Sequence, residues 1–233
     1  MAATKVKGIV LGGVNVKEKD RIVTLYTLEN GVMSCSMKGV RGEKAKMKFA
    51  KEPFCFGEYI IEEGKAVPVV TGVDIIDSFY SIASDIDKYY EGCTILNVLA
   101  KLGNESNPSL FIETIKALKV LCYGEVKKYY VFNKFMLFFL ENMGYEFIRD
   151  KCSSCGATLG VKYLNLQVGE LVCPACKNDL SISVTDQCFA ALKIFKNTEY
   201  EKLDSINITN DGEIAACSLL SKNYEWRTGN KLL

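Results

Sequence analysis

Apolar positions recur along this chain with two different periods. Up to about residue 80 they come in short runs rich in β-branched residues: Thr4 to Val16, Arg21 to Leu28, Val32 to Met37, Phe54 to Ile61 and Ala66 to Val73. Asn30-Gly31, where both residues tolerate positive φ, predicts a hairpin turn between the second and third runs. Glu63-Gly64 predicts another between the last two. Strands this short and this close predict a small closed antiparallel barrel, because closure leaves no exposed edge. An SH3-like barrel fits the same pattern, and the strand order is not readable from it.

From Ser81 the period becomes helical, with Ile82, Ile86, Tyr89, Cys93, Leu96 and Leu99 on one face. Asn107-Pro108 predicts an N-cap with proline at the first helical position, and the helix that follows aligns Phe111, Ile115, Leu118 and Cys122. Glu125 to Asn142 predicts a third helix, closed by Gly144. It is aromatic nearly all round, so it belongs at the centre of a bundle. Residues 150–180 interrupt the pattern with a cysteine-rich insert. Thr185 to Asn197 and Asp211 to Arg227 return to helix, the last with Asn210-Asp211 as its capping signal. The expected fold class is therefore α+β. A small β-barrel occupies residues 1–80, and a helical domain occupies 81–149 and 181–233, with the insert at 150–180. No repeat, low-complexity run or long Gly/Ser/Pro linker appears.

Composition changes this picture at one point. The chain has ten cysteines and no histidine. Every apparatus built on imidazole is excluded, from Ser-His-Asp triads to Cys-His pairs, as are Cys₂His₂ metal sites. Apolar content of 48% and charged content of 24% fit a folded globular protein. The start of the chain lacks the apolar block of a signal peptide, and the most apolar stretch, Tyr129 to Leu140, is too short for a membrane span. A cytoplasmic protein with no membrane association is expected, where free thiols or thiolate–metal sites are favoured over disulfides.

Cys152-Ser-Ser-Cys155 and Cys173-Pro-Ala-Cys176 form a C-x₂-C-x₁₇-C-x₂-C pattern. Two intervening residues let both sulfurs of a pair face one ion, and two such pairs close a tetrahedral S₄ site. Lys162 to Val172, with a turn at Val168-Gly169, reads as a hairpin between the pairs. One structural Zn²⁺ per chain is expected, contributing on the order of 10 kcal/mol to local folding. The alternatives are unligated cysteines, disulfides or iron. Cys35, Cys55, Cys93, Cys122, Cys188 and Cys217 lie in apolar patterns and read as small core residues.

Net charge is only +1, so a nucleic-acid surface must come from local asymmetry. Lys38 to Lys51 supplies it: Lys38, Arg41, Lys44, Lys46, Lys48 and Lys51 stand against the single acid Glu43. Gly39 and Gly42 predict a mobile loop between strands. Such a loop is a natural phosphate contact, and Phe49 and Phe54 add possible base stacking. Lys17, Lys19 and Arg21 form a smaller basic patch. A merely solvated lysine-rich loop is the competing reading. No Walker loop and no dinucleotide fingerprint occurs. Glu18, Asp20, Glu62, Glu63, Asp85 and Asp87 read as surface and capping carboxylates, and no catalytic constellation is visible.

The order of these features resembles that of the bacterial RecO family of recombination mediators. The resemblance runs over essentially the whole chain. It rests on Lys7-Gly8-Ile9-Val10-Leu11, on Glu18 to Thr27, on Lys38-Gly39-Val40-Arg41, and on Met143-Gly144-Tyr145 leading into Cys152 and Cys155. It implies that the barrel is an OB-fold, with Lys38 and Arg41 in its basic surface. It implies binding of single- and double-stranded DNA and annealing of complementary strands. It further implies RecA loading onto strands coated by single-stranded-DNA-binding protein, with RecR and in some pathways RecF. The C-terminal peptide of single-stranded-DNA-binding protein is an implied partner too. Zinc is not universal in the family. The chain departs from it in a short tail: only six residues follow Tyr224-Glu-Trp-Arg227. Two other classes fit the residues: a zinc-ribbon interaction factor in transcription or replication without catalytic activity, and an iron–sulfur or thiol redox enzyme.

Overall fold

A computed structural model of the chain describes residues 3–64, 66–145 and 148–232. These residues form two compact units, Met1–Tyr123 and Gly124–Leu233.

The first unit opens with five strands: β1 (Thr4–Val16), β2 (Asp20–Thr27), β3 (Gly31–Met37), β4 (Phe56–Glu62) and β5 (Val69–Asp77). They close in the order β1-β2-β3-β5-β4. All pairings are antiparallel except β3 with β5, which meet in parallel at Ser36 and Val69. This closure makes the barrel OB-like. Period-2 burial is strictest on β4, where Gly57, Tyr59 and Ile61 point inward. Their partners in the barrel core include Val6, Val10, Val23, Leu25, Cys35, Met37 and Val70. The expected two-residue Asn-Gly turn is not the one formed. The chain turns through Leu28, Glu29 and Asn30, because the Thr27 hydroxyl accepts the Asn30 N–H at 3.0 Å and donates to the Gly31 carbonyl at 2.9 Å.

Two helices complete this unit, α1 (Ile86–Leu99) and α2 (Pro108–Tyr123). The helix expected from Ser81 begins only at Ile86. Asp85 caps it by accepting the N–H groups of Asp87 and Lys88, and Ile82 sits in a separate 3₁₀ turn, Tyr80–Ser84. Asn107 caps α2 through Leu110 as the sequence predicts. The α2 ring of Phe111 packs on Tyr26 of β2 at 5.5 Å and on Phe56 of β4 at 6.1 Å.

The second unit is built on α3 (Tyr130–Asn142), which packs against α4 (Asp186–Asn197) and α5 (Asn210–Thr228). Nine of the thirteen α3 residues are buried, so its all-round aromatic character is explained by a central position. It starts at Tyr130 and not at Glu125, because Tyr129 holds φ 65° and breaks the helical path. Thr209 caps α5, one residue ahead of the expected Asn210-Asp211 signal. A small sheet of β6 (Lys162–Asn165), β7 (Glu170–Val172) and β8 (Ser181–Val184) runs in the order β7-β6-β8. The expected hairpin is β6–β7. The third strand lies outside that expectation and carries the sheet past residue 180. Among the described residues no helix is long and apolar enough to cross a membrane.

Gly92 marks the closest approach of α1 to Phe54: a Cβ there would stand 2.8 Å from the Phe54 ring and 3.2 Å from Leu121. Alanine in a helix interior normally gains about 0.5–1 kcal/mol over glycine. Overpacking costs about 1–3 kcal/mol, and Phe54 is only 3% exposed, so the clash wins. Gly92→Ala should lower stability by about 1 kcal/mol or more, seen as a lower urea midpoint at unchanged slope. A raised midpoint would show that the packing there is not tight.

Candidate nucleic-acid interface and metal centre

The first group of basic residues converges because two loops are tied together. Arg41 donates from Nη1 to the carbonyls of Lys17 (3.3 Å) and Glu18 (3.1 Å), and its N–H donates to the Lys19 carbonyl at 3.0 Å. The Asp20 carboxylate accepts the Gly39 N–H at 2.8 Å. Lys17, Lys19, Lys38 and Arg41 are thereby gathered, all exposed, at one end of the barrel. Arg21 is half-buried beside them, and its Nη1 donates to Asn15 Oδ1 at 3.1 Å. Arg41 therefore acts first as a tie between loops.

The rest of the basic segment is not the mobile loop the glycines predict. From Gly39 to Cys55 it is a succession of turns, in which Gly42, Ala45, Lys48, Ala50, Glu52 and Cys55 each donate an N–H to the carbonyl three residues earlier. Val40 (1% exposed) and Ala50 (0%) are buried in the barrel core, with Met47 packed against it. These anchors leave Lys44, Lys46 and Lys48 exposed. Lys51 differs: its ammonium is paired with Glu52 and its side chain is largely covered. The two aromatic residues also separate. Phe49 is 66% exposed, whereas Phe54 is buried and offers no free face.

In the second unit Cys152, Cys155, Cys173 and Cys176 place their sulfurs within 4.8 Å of one another. Each pair is set by a turn, with the Gly156 N–H on the Cys152 carbonyl (2.9 Å) and the Cys176 N–H on that of Cys173 (3.0 Å). The Cys173 N–H also donates to Cys152 Sγ at 3.3 Å. That bond holds the Cys152 thiol down at about 6, while the neighbouring thiols of Cys173 and Cys155 push Cys176 up to about 12. Sulfurs this close cannot all ionise unaided, and a bound cation reverses that balance. A tetrahedron with 2.3 Å metal–sulfur bonds has edges of about 3.8 Å. The Cys155–Cys173 separation is 3.8 Å, so the donor set and spacing suit one metal ion. Of the other cysteines, Cys35, Cys55, Cys122 and Cys188 are buried and Cys93 and Cys217 half-buried. Burial pushes Cys35 and Cys188 up to about 11.

One residue of this site was missed by sequence reasoning. Arg227, in the last turn of α5, donates to the Gln167 carbonyl at 3.3 Å and lies 4.9 Å from the Tyr145 ring. Its guanidinium covers Gly169, where a Cβ would stand 2.1 Å from Nη2. It thus clamps the hairpin turn whose second strand, β7, leads into Cys173 and whose Leu171 carbonyl accepts the Ser153 N–H at 3.0 Å. Nothing in the spacing of Arg227 signals this; only the turn glycine does.

Fold and site together define a class: an OB-like barrel with a cationic rim, followed in the chain by a helical unit carrying a four-cysteine cluster able to hold a metal ion. Family models described as Recombination protein O N terminal and Recombination protein O C terminal match residues 1–79 and 83–233. The DNA repair protein RecO of Clostridium novyi (strain NT) is 30% identical over 89% of this chain and 82% of its own length. That of Thermobifida fusca (strain YX) is 27% identical over 99% and 96%. That of Acetivibrio thermocellus is 25% identical over 88% and 84%. The chain belongs to the RecO family. The two models divide it between strands and helices, whereas α1 and α2 pack with the barrel in one compact unit.

Gly169 holds φ 75° beneath the Arg227 guanidinium. Gly169→Ala adds left-handed strain of about 1–2 kcal/mol to the steric clash. It should release bound metal several-fold faster to a chromogenic chelator. Unchanged release would show that the clamp does not support the centre.

Proposed function

We propose that this chain is a non-enzymatic DNA-binding mediator of recombination in DNA repair, acting in the cytoplasm. The barrel's rim, with Lys17, Lys19, Arg21, Lys38 and Arg41, and the turn run with Lys44, Lys46 and Lys48 form the DNA-binding surface for single and double strands. Lys51 contributes less, because Glu52 neutralises it. The observation that carries this reading is the Arg41 tie, which draws two separate basic segments into one exposed cationic surface. The relatives' name, DNA repair protein, supports the same direction.

Annealing needs no bond making at the protein. It needs phosphate repulsion neutralised and bases left free to pair, and exposed lysines on a fixed backbone meet the first requirement. In this reading the protein also helps RecA loading onto strands coated by single-stranded-DNA-binding protein, whose C-terminal peptide it engages, with RecR and in some pathways RecF as further partners. The four cysteines hold one structural Zn²⁺, closed to substrate, with the strands of the small sheet fixed around it. The barrel at 1–80, the helical parts at 81–149 and 181–233 and the insert at 150–180 are the proposed functional divisions.

Replacing Lys38, Lys44, Lys46 and Lys48 together with glutamine should weaken oligonucleotide binding and flatten its salt dependence. The log–log slope should fall by about 0.7 for each single-strand phosphate that is no longer neutralised. Unchanged affinity and slope across a salt series would sink the assignment. Metal analysis of protein purified without chelator should give one zinc per chain, and a clearly smaller ratio or a coloured iron protein would overturn the zinc reading.

A further inference from the structure

Beside the turn run lies an apolar groove of about 750 Å³, enclosed by Lys48 to Phe54, the residues after β5 and the start of α1. Its floor includes the buried rings of Phe54 and Phe79. Both hold left-handed backbone, φ 72° and 46°, which bulky residues rarely adopt unless the surroundings over-determine them. Packing supplies the constraint: Phe54 meets Tyr89 edge to face at 5.9 Å, and Phe79 meets Tyr123 at 6.3 Å. At the mouth stand three exposed rings, Phe49 (66%), Tyr80 (78%) and Tyr89 (39%). Lys48 lines the groove with its ammonium 6.0 Å from the Phe49 ring centre. Lys44 and Lys46 precede it on the same turn run, and the acid in the wall, Glu52, is already paired with Lys51.

We propose that this groove takes unpaired bases of single-stranded DNA, stacked on Phe49 and Tyr80 with their phosphates against Lys44, Lys46 and Lys48. A flat apolar ring on an anionic backbone matches aromatic walls with a cationic edge. Duplex DNA keeps its base faces inside the stack and has nothing to offer these rings. A base lying flat on an aromatic face keeps its pairing edge exposed, as annealing requires. A second copy of the chain is disfavoured, because it would bring two lysine runs together. The inference rests on the DNA-binding reading and adds to it a strand form and a second type of interaction.

The test is binding of a labelled oligothymidine and of a duplex of equal length by the full chain, across a salt series. Phe49→Ala and Tyr80→Ala, at largely exposed positions, should each weaken single-strand binding about ten-fold with the salt slope and duplex binding unchanged. Phe49→Leu, which keeps apolar bulk without a π face, should be as weak as alanine, and Phe49→Tyr should restore affinity. Equal weakening on both DNA forms, no weakening, or full rescue by leucine would overturn base stacking. So would concentration-dependent self-association in sedimentation that Phe49→Ala abolishes. An acidic aromatic peptide that needs these rings to bind, yet leaves DNA binding untouched, would overturn it too. If the lysine variant weakens binding while the ring variants do not, only this inference fails. If wild-type protein binds no oligonucleotide, the DNA-binding reading fails and takes this one with it.

Discussion

One buried phenol organises the lysine-bearing segment of the barrel. Tyr59 is fully buried on β4, and its hydroxyl lies 3.2 Å from the Ala50 carbonyl and 3.3 Å from that of Cys55. Those carbonyls bracket the last turns of the segment between β3 and β4. With Val40 and Ala50 sunk in the core, the segment is held at its start and its end. Burial pushes the Tyr59 ionisation far up, so the hydroxyl remains a donor at any physiological pH. The lysines between these anchors gain a fixed backbone. A cation on such a backbone loses less freedom on meeting a phosphate than one on a free loop, because the main-chain ordering has already occurred on folding.

The barrel was legible because its strands alternate with period 2 and end at strong turn residues. The strand order was not, because it depends on the parallel meeting of Ser36 and Val69, which no local pattern encodes. Helix starts were misplaced where a single residue overrode periodicity. Asp85 caps by accepting the N–H groups of Asp87 and Lys88, Thr209 by accepting that of Gly212, and Tyr129 breaks α3 by adopting positive φ. None of these changes the hydrophobic pattern. β8 escaped notice because four residues with two serines carry too weak an apolar signal, and pairing with β6 decides it.

The sites divide in the same way. The grouping of the four cysteines was readable because a shared cluster of sulfurs shows in the chain as local spacing, two residues within each pair. Arg227 was not, because it acts on the hairpin turn from a helix sixty residues further along the chain. The basic residues were readable as a count, but their roles were not. Arg41 spends its guanidinium on two carbonyls, Lys51 is paired off, and Lys44, Lys46 and Lys48 face solvent. Lysine and arginine at neighbouring positions thus divide the work. The planar fork that can satisfy two acceptors at once is used as the tie, and the flexible point charges are left at the surface.

Whole-chain neutrality is compatible with a polyanion-binding surface for a reason of length scale. At physiological ionic strength charges are screened over about 8 Å, less than two strand spacings of about 4.8 Å. A phosphate at the rim would feel the residues around it and little of the remaining chain. Two of the acids beside that surface are engaged at short distance. Asp20 accepts the Gly39 N–H and helps fix the loop that carries Lys38, and Glu52 is matched by Lys51. Asp20 and Glu52 are therefore part of the scaffold that presents the lysines. Acids such as Glu58, paired with Lys5 at 2.8 Å on neighbouring strands, balance the total without entering that surface. The net charge of +1 is a sum over regions that do not see one another, and the local arrangement decides what the surface can bind.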